Sequence, residues 1–432
     1  MNVRKLAVEA LDKILDKGAY SNIIVNEYLS KFELSSEDKG LFTNLIYGTL
    51  QNLITIEYYL EPFLVKKKPK HYIMNLLCMA VYQIVYLDIP NYAILDETVK
   101  IARLKDERIA SFVNGVLRNF LRNPLNDIEE LKIKGNNMRY LSVKYSHPEW
   151  LIAFFLKDYK MECLEQILAE NNKVKYDAIR VNTLKSDKET VIKNLEENNI
   201  PYENIDIVKN GLIIKKPIFE TEMFKNGLVT IQDISSQMVS EIANPDKNSI
   251  IIDLCSAPGG KSAHLAAIMN NTGRIFSCDV YPNKIKLMKD LFKRLGVTNA
   301  TCEQIDAREV SSIVKEESFD YVIADVPCSG LGVISHKIDL KYRINLDSIN
   351  EIIALQKEIL AKTKDLVKKG GYYIYSTCTI NKDENEKMIK AFISENNNFE
   401  VVFEVLGLLL IHLLLLGFFS FWLFPFLWIC IL

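Results

Sequence analysis

Residues Ile250-Ile251-Ile252-Asp253-Leu254 run directly into Cys255-Ser256-Ala257-Pro258-Gly259-Gly260-Lys261, and this segment is the main evidence for the fold class. A short apolar run rich in β-branched residues predicts a buried strand. The glycine turn after it predicts the start of a helix. Four similar runs follow along the chain, at residues 274–279, 300–305, 319–324 and 371–376. Strands that alternate with helical stretches predict an α/β fold with a doubly wound parallel sheet over residues 231–400.

Two cysteines follow the last two predicted strands. Asp325-Val326-Pro327-Cys328-Ser329-Gly330 begins where the fourth run ends, and Ser376-Thr377-Cys378-Thr379 begins where the fifth ends. The carboxyl ends of parallel strands meet at one edge of the sheet, where ligands bind. Cys378 alone is typical of a buried, small apolar side chain. Two thiols and a glycine turn at one edge instead suggest group transfer to an electrophilic ring by covalent catalysis.

Together these three segments resemble the RNA 5-methylcytosine methyltransferases of the RsmB (Sun, Fmu) type, which modify 16S ribosomal RNA. The resemblance extends from Met1 to about Glu400. A glycine turn is a weak signal alone, whereas Pro-Cys-Ser-Gly followed by Ser-Thr-Cys-Thr is a strong one. The resemblance implies a Rossmann-like sheet, S-adenosyl-L-methionine as cofactor, 16S ribosomal RNA as partner, and methylation of cytosine C5 through a covalent cysteine–C6 adduct.

The resemblance also assigns catalytic roles to three residues. It implies that Cys378 is the nucleophile and that Cys328 assists product release. Asp325, three residues before Cys328, is placed to hydrogen-bond the pyrimidine edge and, if protonated, to stabilise charge as the thiolate adds. A loop cap is the alternative role for Asp325.

The expected cofactor site lies on the same sheet edge. Gly259 and Gly260 keep side chains out of the path of the methionine end. Asp279 ends the second strand, near the expected ribose hydroxyls, and Asp306 follows the third strand, near the adenine amino group. Each acid could instead cap the next helix. The complete expected set is Cys255, Ser256, Ala257, Pro258, Gly259, Gly260, Lys261, Asp279, Asp306 and Asp325.

One loop departs from the family pattern. After Gly332-Val333-Ile334 the family usually has Arg-Arg-Lys/His-Pro-Asp, whereas this chain has Ser335-His336-Lys337-Ile338-Asp339. The basic charge and the proline are lost, so we expect weaker RNA backbone contact there.

Residues 1–125 show helical spacing throughout, for example at Val3, Leu6 and Ala7 and again at Phe112 and Val116. This all-helical domain resembles the antitermination factor NusB, which implies RNA or protein docking without a catalytic group. Periodicity alone is equally consistent with a helical packing bundle.

Residues 126–230 are predicted to form a linker and a small α+β domain. Polar residues with Pro and Gly from Asn123 to Asn137 mark the linker, and residues 178–183, 188–198 and 211–215 predict a strand–helix–strand unit. The resemblance implies RNA contact here. Arg180 and Asn182 either contact phosphate or lie on a solvated strand edge.

Charge and cysteine usage exclude several classes of site. The net charge is −2, so RNA contact must come from local patches such as Lys66-Lys67-Lys68-Pro69-Lys70. The 8 cysteines contain no Cys-x-x-Cys pair and the 5 histidines do not group with them, so we expect no metal site. Without a continuous apolar signal region at the N-terminus, we expect a cytoplasmic monomer with reduced thiols.

Residues 401–432 abandon the family pattern. The segment from Val405 to Leu432 contains no Asp, Glu, Lys or Arg. A segment of this length is long enough to span a bilayer. The family sheet closes with two further strands, and we expect both to be missing here. A tail anchor is one interpretation, with the membrane as a partner only if the tail is genuine. A disrupted reading frame is the interpretation we favour. It predicts an exposed apolar sheet edge.

Two other functions stay open at this point. A catalytically impaired RNA-binding assembly protein would follow from a sheet without its closing strands, although both cysteine motifs are intact. A small-molecule or protein methyltransferase on the same fold would have no need of two cysteines at strand ends.

Overall fold

The computed structural model describes residues 2–64, 69–173, 176–405 and 426–431, with the backbone alone for 403–405 and 426–431. Lys66, Lys67 and Lys68 of the predicted basic patch lie outside these residues. The chain divides into two units. The first comprises residues 1–173 and Ile334–Ile344, and the second comprises residues 174–333 and 345–432.

The first unit is helical, as predicted. Its helices are α1 (Val3–Leu15), α2 (Ser21–Lys31), α3 (Ser36–Gln51), α4 (Leu53–Leu60), α5 (His71–Tyr86), α6 (Asn91–Arg103), α7 (Glu107–Arg122), α8 (Glu129–Ile133), α9 (Asn137–Tyr145), α10 (Glu149–Phe155) and α11 (Met161–Asn171). The predicted apolar stripe of α1 is buried in one core with α3, α5 and α7. Ser35 caps α3, because its side chain accepts a hydrogen bond from the Asp38 backbone N–H at 3.1 Å. The short helix α8 lies within the predicted linker.

Residues Ile334–Ile344 leave the second unit and pack within the helical one. Ser21 Oγ donates to Asp339 Oδ1 at 2.5 Å, and Asp339 is 4% exposed. Lys341 Nζ donates to the Gln51 carbonyl oxygen at 3.1 Å, and the Tyr342 hydroxyl donates to that of Leu50 at 2.7 Å. Asp339 is the last residue of the loop Ser335–Asp339, whose sequence differs from the family pattern. It is therefore buried against helices.

A four-stranded antiparallel sheet opens the second unit. Its strands are β1 (Asp177–Val181), β2 (Tyr202–Asn204), β3 (Gly211–Ile214) and β4 (Val229–Ile231), in the order β2-β3-β1-β4. The helices α12 (Lys188–Glu197) and α13 (Glu222–Lys225) lie between them. The sequence predicted β1, α12 and β3 but missed β2 and β4, because three residues are too few to show an alternating pattern.

Both interpretations of Arg180 and Asn182 are wrong, because neither side chain is at the surface. Arg180 is 1% exposed and its Nε donates to Gln232 Oε1 at 2.6 Å. Asn182 is fully buried and donates to the carbonyl oxygens of Gly227 at 2.8 Å and Leu295 at 2.7 Å. Asn182 therefore fixes the end of β1 from inside, whereas the two Nη atoms of Arg180 are buried without a hydrogen-bond partner among the described residues.

The large sheet contains all five predicted parallel strands. Its strands are β5 (Ile250–Asp253), β6 (Arg274–Asp279), β7 (Ala300–Gln304), β8 (Phe319–Asp325), β9 (Val367–Thr377), β10 (Glu400–Val405) and β11 (Phe426–Ile431), in the order β10-β11-β9-β8-β5-β6-β7. The helices of this region are α14 (Ile234–Ala243), α15 (Gly260–Ile268), α16 (Pro282–Leu295), α17 (Leu346–Thr363) and α18 (Glu386–Glu395). Buried Ile252, Val322 and Tyr373 form the core on one face of the sheet.

The expectation that the closing strands are missing is wrong. β11 pairs antiparallel with β9, from Phe426 opposite Thr377 to Ile431 opposite Tyr372, and β10 pairs with β11. Apolar and β-branched residues favour strand pairing, and backbone hydrogen bonds do not depend on matching the family's side chains. The edge of β9 is therefore covered, which removes the reason to expect an impaired enzyme.

The anchor and reading-frame hypotheses stay predictions. Residues 406–425, which form most of the apolar run, lie outside the described residues. Within the part of the chain that the structure describes, no helix combines the length and the apolar character needed to cross a bilayer.

Candidate active site

The glycine turn after β5 begins the site. The Ser256 backbone N–H donates to the Cys278 carbonyl oxygen at 2.8 Å, which ties the turn to β6. Gly259 has a φ of +99°, a left-handed conformation that suits glycine, and its N–H donates to the Ser256 carbonyl oxygen at 2.7 Å. Pro258 and Gly260 complete the turn into α15. The chain thus turns sharply at the strand end and leaves an open edge.

Asp253, the last residue of β5, is a site residue that the sequence did not single out. Its carboxylate is fully buried and accepts a hydrogen bond from Ser262 Oγ at 2.7 Å, and Ser262 in turn lies 2.8 Å from Ser256 Oγ. Burial raises the pKa of Asp253 to about 6. An acid at the end of an apolar run was the available signal.

Five of the predicted residues line one cavity of about 400 Å³, namely Cys255, Ala257, Asp279, Asp306 and Asp325. Apolar side chains of Leu254, Val326 and Ile359 form another part of its wall. A larger apolar cavity of about 900 Å³ lies beside β5, β6 and β7 and shares Asp306, but Cys255, Asp279 and Asp325 do not line it. The smaller cavity is therefore the one at the strand ends.

The two acids of this cavity differ in their contacts. Asp279 Oδ1 accepts from the Tyr281 backbone N–H at 3.2 Å, and its Oδ2 lies 3.5 Å from Lys284 Nζ. Asp306 caps the short helix that follows β7 and forms an ion pair with Arg308 at 2.7 Å. The Arg308 guanidinium lowers the pKa of Asp306. Asp306 therefore caps a helix, which was the alternative role considered for it, and it also lines the cavity.

The two predicted thiols meet at the end of β8 and β9. These strands are paired, with Asp325 opposite Ser376. Cys328 Sγ lies 3.0 Å from Cys378 Sγ, and the Cys378 backbone N–H donates to Cys328 Sγ at 3.2 Å. The contact with Cys378, together with burial, raises the pKa of Cys328 well above its ordinary value. The two sulfur atoms therefore interact directly.

Lys261 belongs to this thiol pair rather than to the glycine turn alone. Its Nζ donates to Asp325 Oδ2 at 2.6 Å, and Ser376 Oγ donates to Asp325 Oδ1 at 2.7 Å. Burial lowers the pKa of Lys261, but the Asp325 carboxylate and Cys378 raise it by more, so the pKa lies above its ordinary value. The ammonium therefore stays charged beside both groups. No sequence spacing signals a contact between residues this far apart.

Glu384 supports the two cysteine loops from inside and was not predicted as a site residue. It is fully buried, and its Oε2 accepts from the Ser329 backbone N–H at 2.8 Å. Asn385 Oδ1 accepts from Thr377 Oγ1 at 2.6 Å, and Asn385 Nδ2 donates to the Thr379 carbonyl oxygen at 2.9 Å. The residues that flank each cysteine are thus fixed by one short segment.

Among the described residues, no three or more His, Cys, Asp or Glu side chains are grouped so as to hold a metal ion.

Comparison with known families accounts for most of the chain. Residues 240–406 match the family model described as 16S rRNA methyltransferase RsmB/F. Residues 1–122 match the NusB family, and residues 147–219 match the ferredoxin-like domain of RsmF/B-like methyltransferases.

Individual proteins are similar over nearly their whole length. The probable ribosomal RNA small subunit methyltransferase B of Bacillus subtilis is 39% identical over 403 residues, covering 92% of this chain and 90% of that protein. The Proteus mirabilis ribosomal RNA small subunit methyltransferase B is 33% identical, with coverages of 91% and 92%. The crystal structure of PH0851 superposes with a TM-score of 0.80 at 26% identity and covers 100% of this chain and 99% of that one.

Proposed function

Because the chain belongs to the RsmB/F family of S-adenosylmethionine-dependent 16S rRNA methyltransferases, we propose that it methylates C5 of a cytosine in 16S ribosomal RNA through a covalent cysteine–C6 adduct. The observation that carries this proposal is the contact between Cys328 and Cys378 at 3.0 Å, beside the Lys261–Asp325 pair. Methyl transfer to nitrogen or oxygen would need neither thiol.

The residues of the 400 Å³ cavity fit S-adenosylmethionine. One carboxylate oxygen of Asp279 has only a weak contact and can accept hydrogen bonds from the ribose hydroxyls. The side chains of Leu254, Val326 and Ile359 form apolar walls that can pack against the purine ring. Asp306 follows the next strand, β7, and would accept a hydrogen bond from the adenine amino group. When bound, the cofactor supplies an electrophilic methyl group.

Cytosine C5 is too weak a nucleophile to accept that methyl group unaided. The Cys378 thiolate adds to C6 and converts the ring into an enamine, which makes C5 nucleophilic. Asp325 hydrogen-bonds the pyrimidine edge, where a proton on its carboxyl group would stabilise the charge that develops, and Lys261, 2.6 Å from Asp325 Oδ2, holds that group in place. After methylation a base removes the C5 proton, the thiolate leaves, and Cys328 assists this release.

A flipped base is the form of substrate that this edge can accept. Enzymes that act on a base remove it from the stack and read it in a pocket. The two thiols are only partly buried, so a base can approach them from the open side of the sheet edge. The small-molecule and protein alternatives leave the thiol pair unexplained.

Bisulfite sequencing of 16S ribosomal RNA from cells with and without this gene tests the proposal. We expect one cytosine to resist conversion only when the gene is present. Incubation of the purified chain with 16S ribosomal RNA and radiolabelled S-adenosylmethionine should reproduce the same position. Label incorporated into RNA without a bisulfite-resistant cytosine would refute C5 as the target atom.

A further inference from the structure

Glu384 carries a buried negative charge whose bonding partners are neutral. Its Oε2 accepts from the Ser329 backbone N–H at 2.8 Å and from Gln356 Nε2 at 3.0 Å. Its Oε1 accepts from Asn381 Nδ2 at 2.9 Å. All three partners donate and none accepts, so both oxygens act as the acceptors of a carboxylate, and no cation among these partners offsets its charge. This charge therefore acts on whatever titratable group lies nearby.

The group that this charge reaches is Cys328. Ser329, which donates to Glu384, is the next residue after Cys328, and Gln356 also donates to the Pro327 carbonyl oxygen at 2.8 Å on the other side. The carboxylate thus underlies the loop that presents Cys328. Burial and the contact with Cys378 raise the pKa of Cys328, and Glu384 raises it further. Cys378 instead interacts with the Lys261 ammonium.

The Lys261–Asp325 pair and Tyr375 add no net charge beside the two sulfur atoms. Asp325 is neutralised by Lys261 at 2.6 Å on the side of Cys378. Tyr375 of β9 donates its hydroxyl to the Glu384 carbonyl oxygen at 2.8 Å, and burial raises its pKa well above the ordinary value, so it stays neutral. A negative charge behind the Cys328 loop and a neutral ion pair beside Cys378 separate two otherwise equivalent sulfur atoms.

We propose that Glu384 is a positioning residue that keeps the single proton of the thiol pair on Cys328, so that Cys378 is the thiolate. The Cys328 S–H then donates to the Cys378 sulfur across the 3.0 Å contact and stabilises its negative charge. This inference rests on the proposed function, because it decides which of two adjacent cysteines attacks the cytosine. It adds a residue that contacts neither base nor cofactor.

Glu384→Gln tests the charge with almost unchanged volume. The purified full-length chain, without RNA or cofactor, is treated with iodoacetamide across a range of pH, and alkylation of each cysteine is followed by mass spectrometry. We expect the ratio of Cys328 to Cys378 alkylation at neutral pH to rise about tenfold, the effect of a one-unit fall in the pKa of Cys328.

Gln356→Met is the matched control. It removes hydrogen bonds to Glu384 Oε2 and to the Pro327 carbonyl oxygen but leaves the carboxylate in place. We expect it to change both alkylation rates together, with the pH dependence of each cysteine unchanged. Equal shifts in the two variants would show that Glu384 acts by packing alone and would overturn the proposal.

A second variant keeps the test decisive if Glu384→Gln does not fold. Cys328→Ala removes the proposed proton donor, so the pH midpoint for alkylation of Cys378 should rise. An unchanged midpoint would overturn the proposal. Since alkylation needs no RNA, failure here is distinguishable from failure of the bisulfite experiment.

Discussion

Lys261 Nζ lies 2.6 Å from Asp325 Oδ2, although 64 residues separate them along the chain. The pair joins the helix after β5 to the end of β8, next to both thiols. Asp325→Asn keeps the size of the side chain but removes its charge. We expect methyl transfer to fall about 10²-fold or more, the usual contribution of a positioned acid or base. Single-turnover assays with Asp290→Asn, at an exposed position of α16, as the matched control measure this, and an equal fall in both variants would contradict it.

Cys378→Ala should abolish methyl transfer and leave cofactor affinity nearly unchanged, because the thiolate acts on the base. Cys328→Ala should instead accumulate a covalent protein–RNA adduct, because addition proceeds while release stalls. Denaturing gels with labelled RNA separate the two outcomes. Turnover in the first variant, or the absence of a slowly migrating species in the second, would contradict the division of roles between thiols that lie 3.0 Å apart.

Asp279→Ala should weaken S-adenosylmethionine binding by about 1.5–3 kcal/mol, the usual contribution of a hydrogen bond to a charged group. The carboxylate lines the 400 Å³ cavity and is held in place by the Tyr281 N–H. Calorimetric titration gives the dissociation constant directly. A dissociation constant equal to that of the unmodified chain would place the ribose contact elsewhere.

The sequence predicted the parallel sheet well because its signals are local. The strands β5, β8 and β9 contain apolar runs bounded by turns, and β6 and β7 are located by their alternation with helices, so composition and spacing suffice to locate all five. The sequence failed at β10 and β11 because we compared side chains with a family pattern. The unpaired backbone of β9 requires a neighbour whatever its side chains are, and Phe426–Ile431 supplies one.

The part of the site that follows from strand order was predicted, and the part that depends on side-chain directions was not. Strand order alone brings Cys328 and Cys378 together, so their contact followed from the fold. The Lys261–Asp325 pair and the contact of Glu384 with Ser329 depend on side-chain directions over 64 and 55 residues, which periodicity does not encode. Arg180 was misplaced because a charged residue on a short strand is usually exposed, whereas here it is 1% exposed.

Gly332→Ala should slow adduct formation and destabilise the chain by about 1–3 kcal/mol, the usual effect of overpacking. A Cβ on Gly332 would lie 2.9 Å from the Cys378 carbonyl oxygen, a backbone atom that must move together with its thiol. Gly115→Ala is the control, since its Cβ would meet no atom within 4 Å in the helix α7. We expect the free energy of unfolding of that control to rise by up to about 1 kcal/mol, as thermal unfolding would show. Equal stability changes in the two variants would contradict this account.

Lys341 gives the stability of the chain a distinctive pH dependence. It is 1% exposed, its Nζ donates to the Gln51 carbonyl oxygen, and burial lowers its pKa to about 7. In the unfolded chain a lysine titrates near about 10.4. Between these values the unfolded state binds a proton that the folded state has released, so the free energy of unfolding rises with pH across this window.

Lys341→Met removes this titration. We therefore expect the free energy of unfolding of the unmodified chain, minus that of the variant, to increase from about pH 7 to about pH 10 and to level off below pH 7, where both states are protonated. Denaturant unfolding at a series of pH values measures the difference, in which all other titrating groups cancel. A difference that does not change with pH would mean that the buried ammonium keeps its proton, compensated by more than the one hydrogen bond to Gln51.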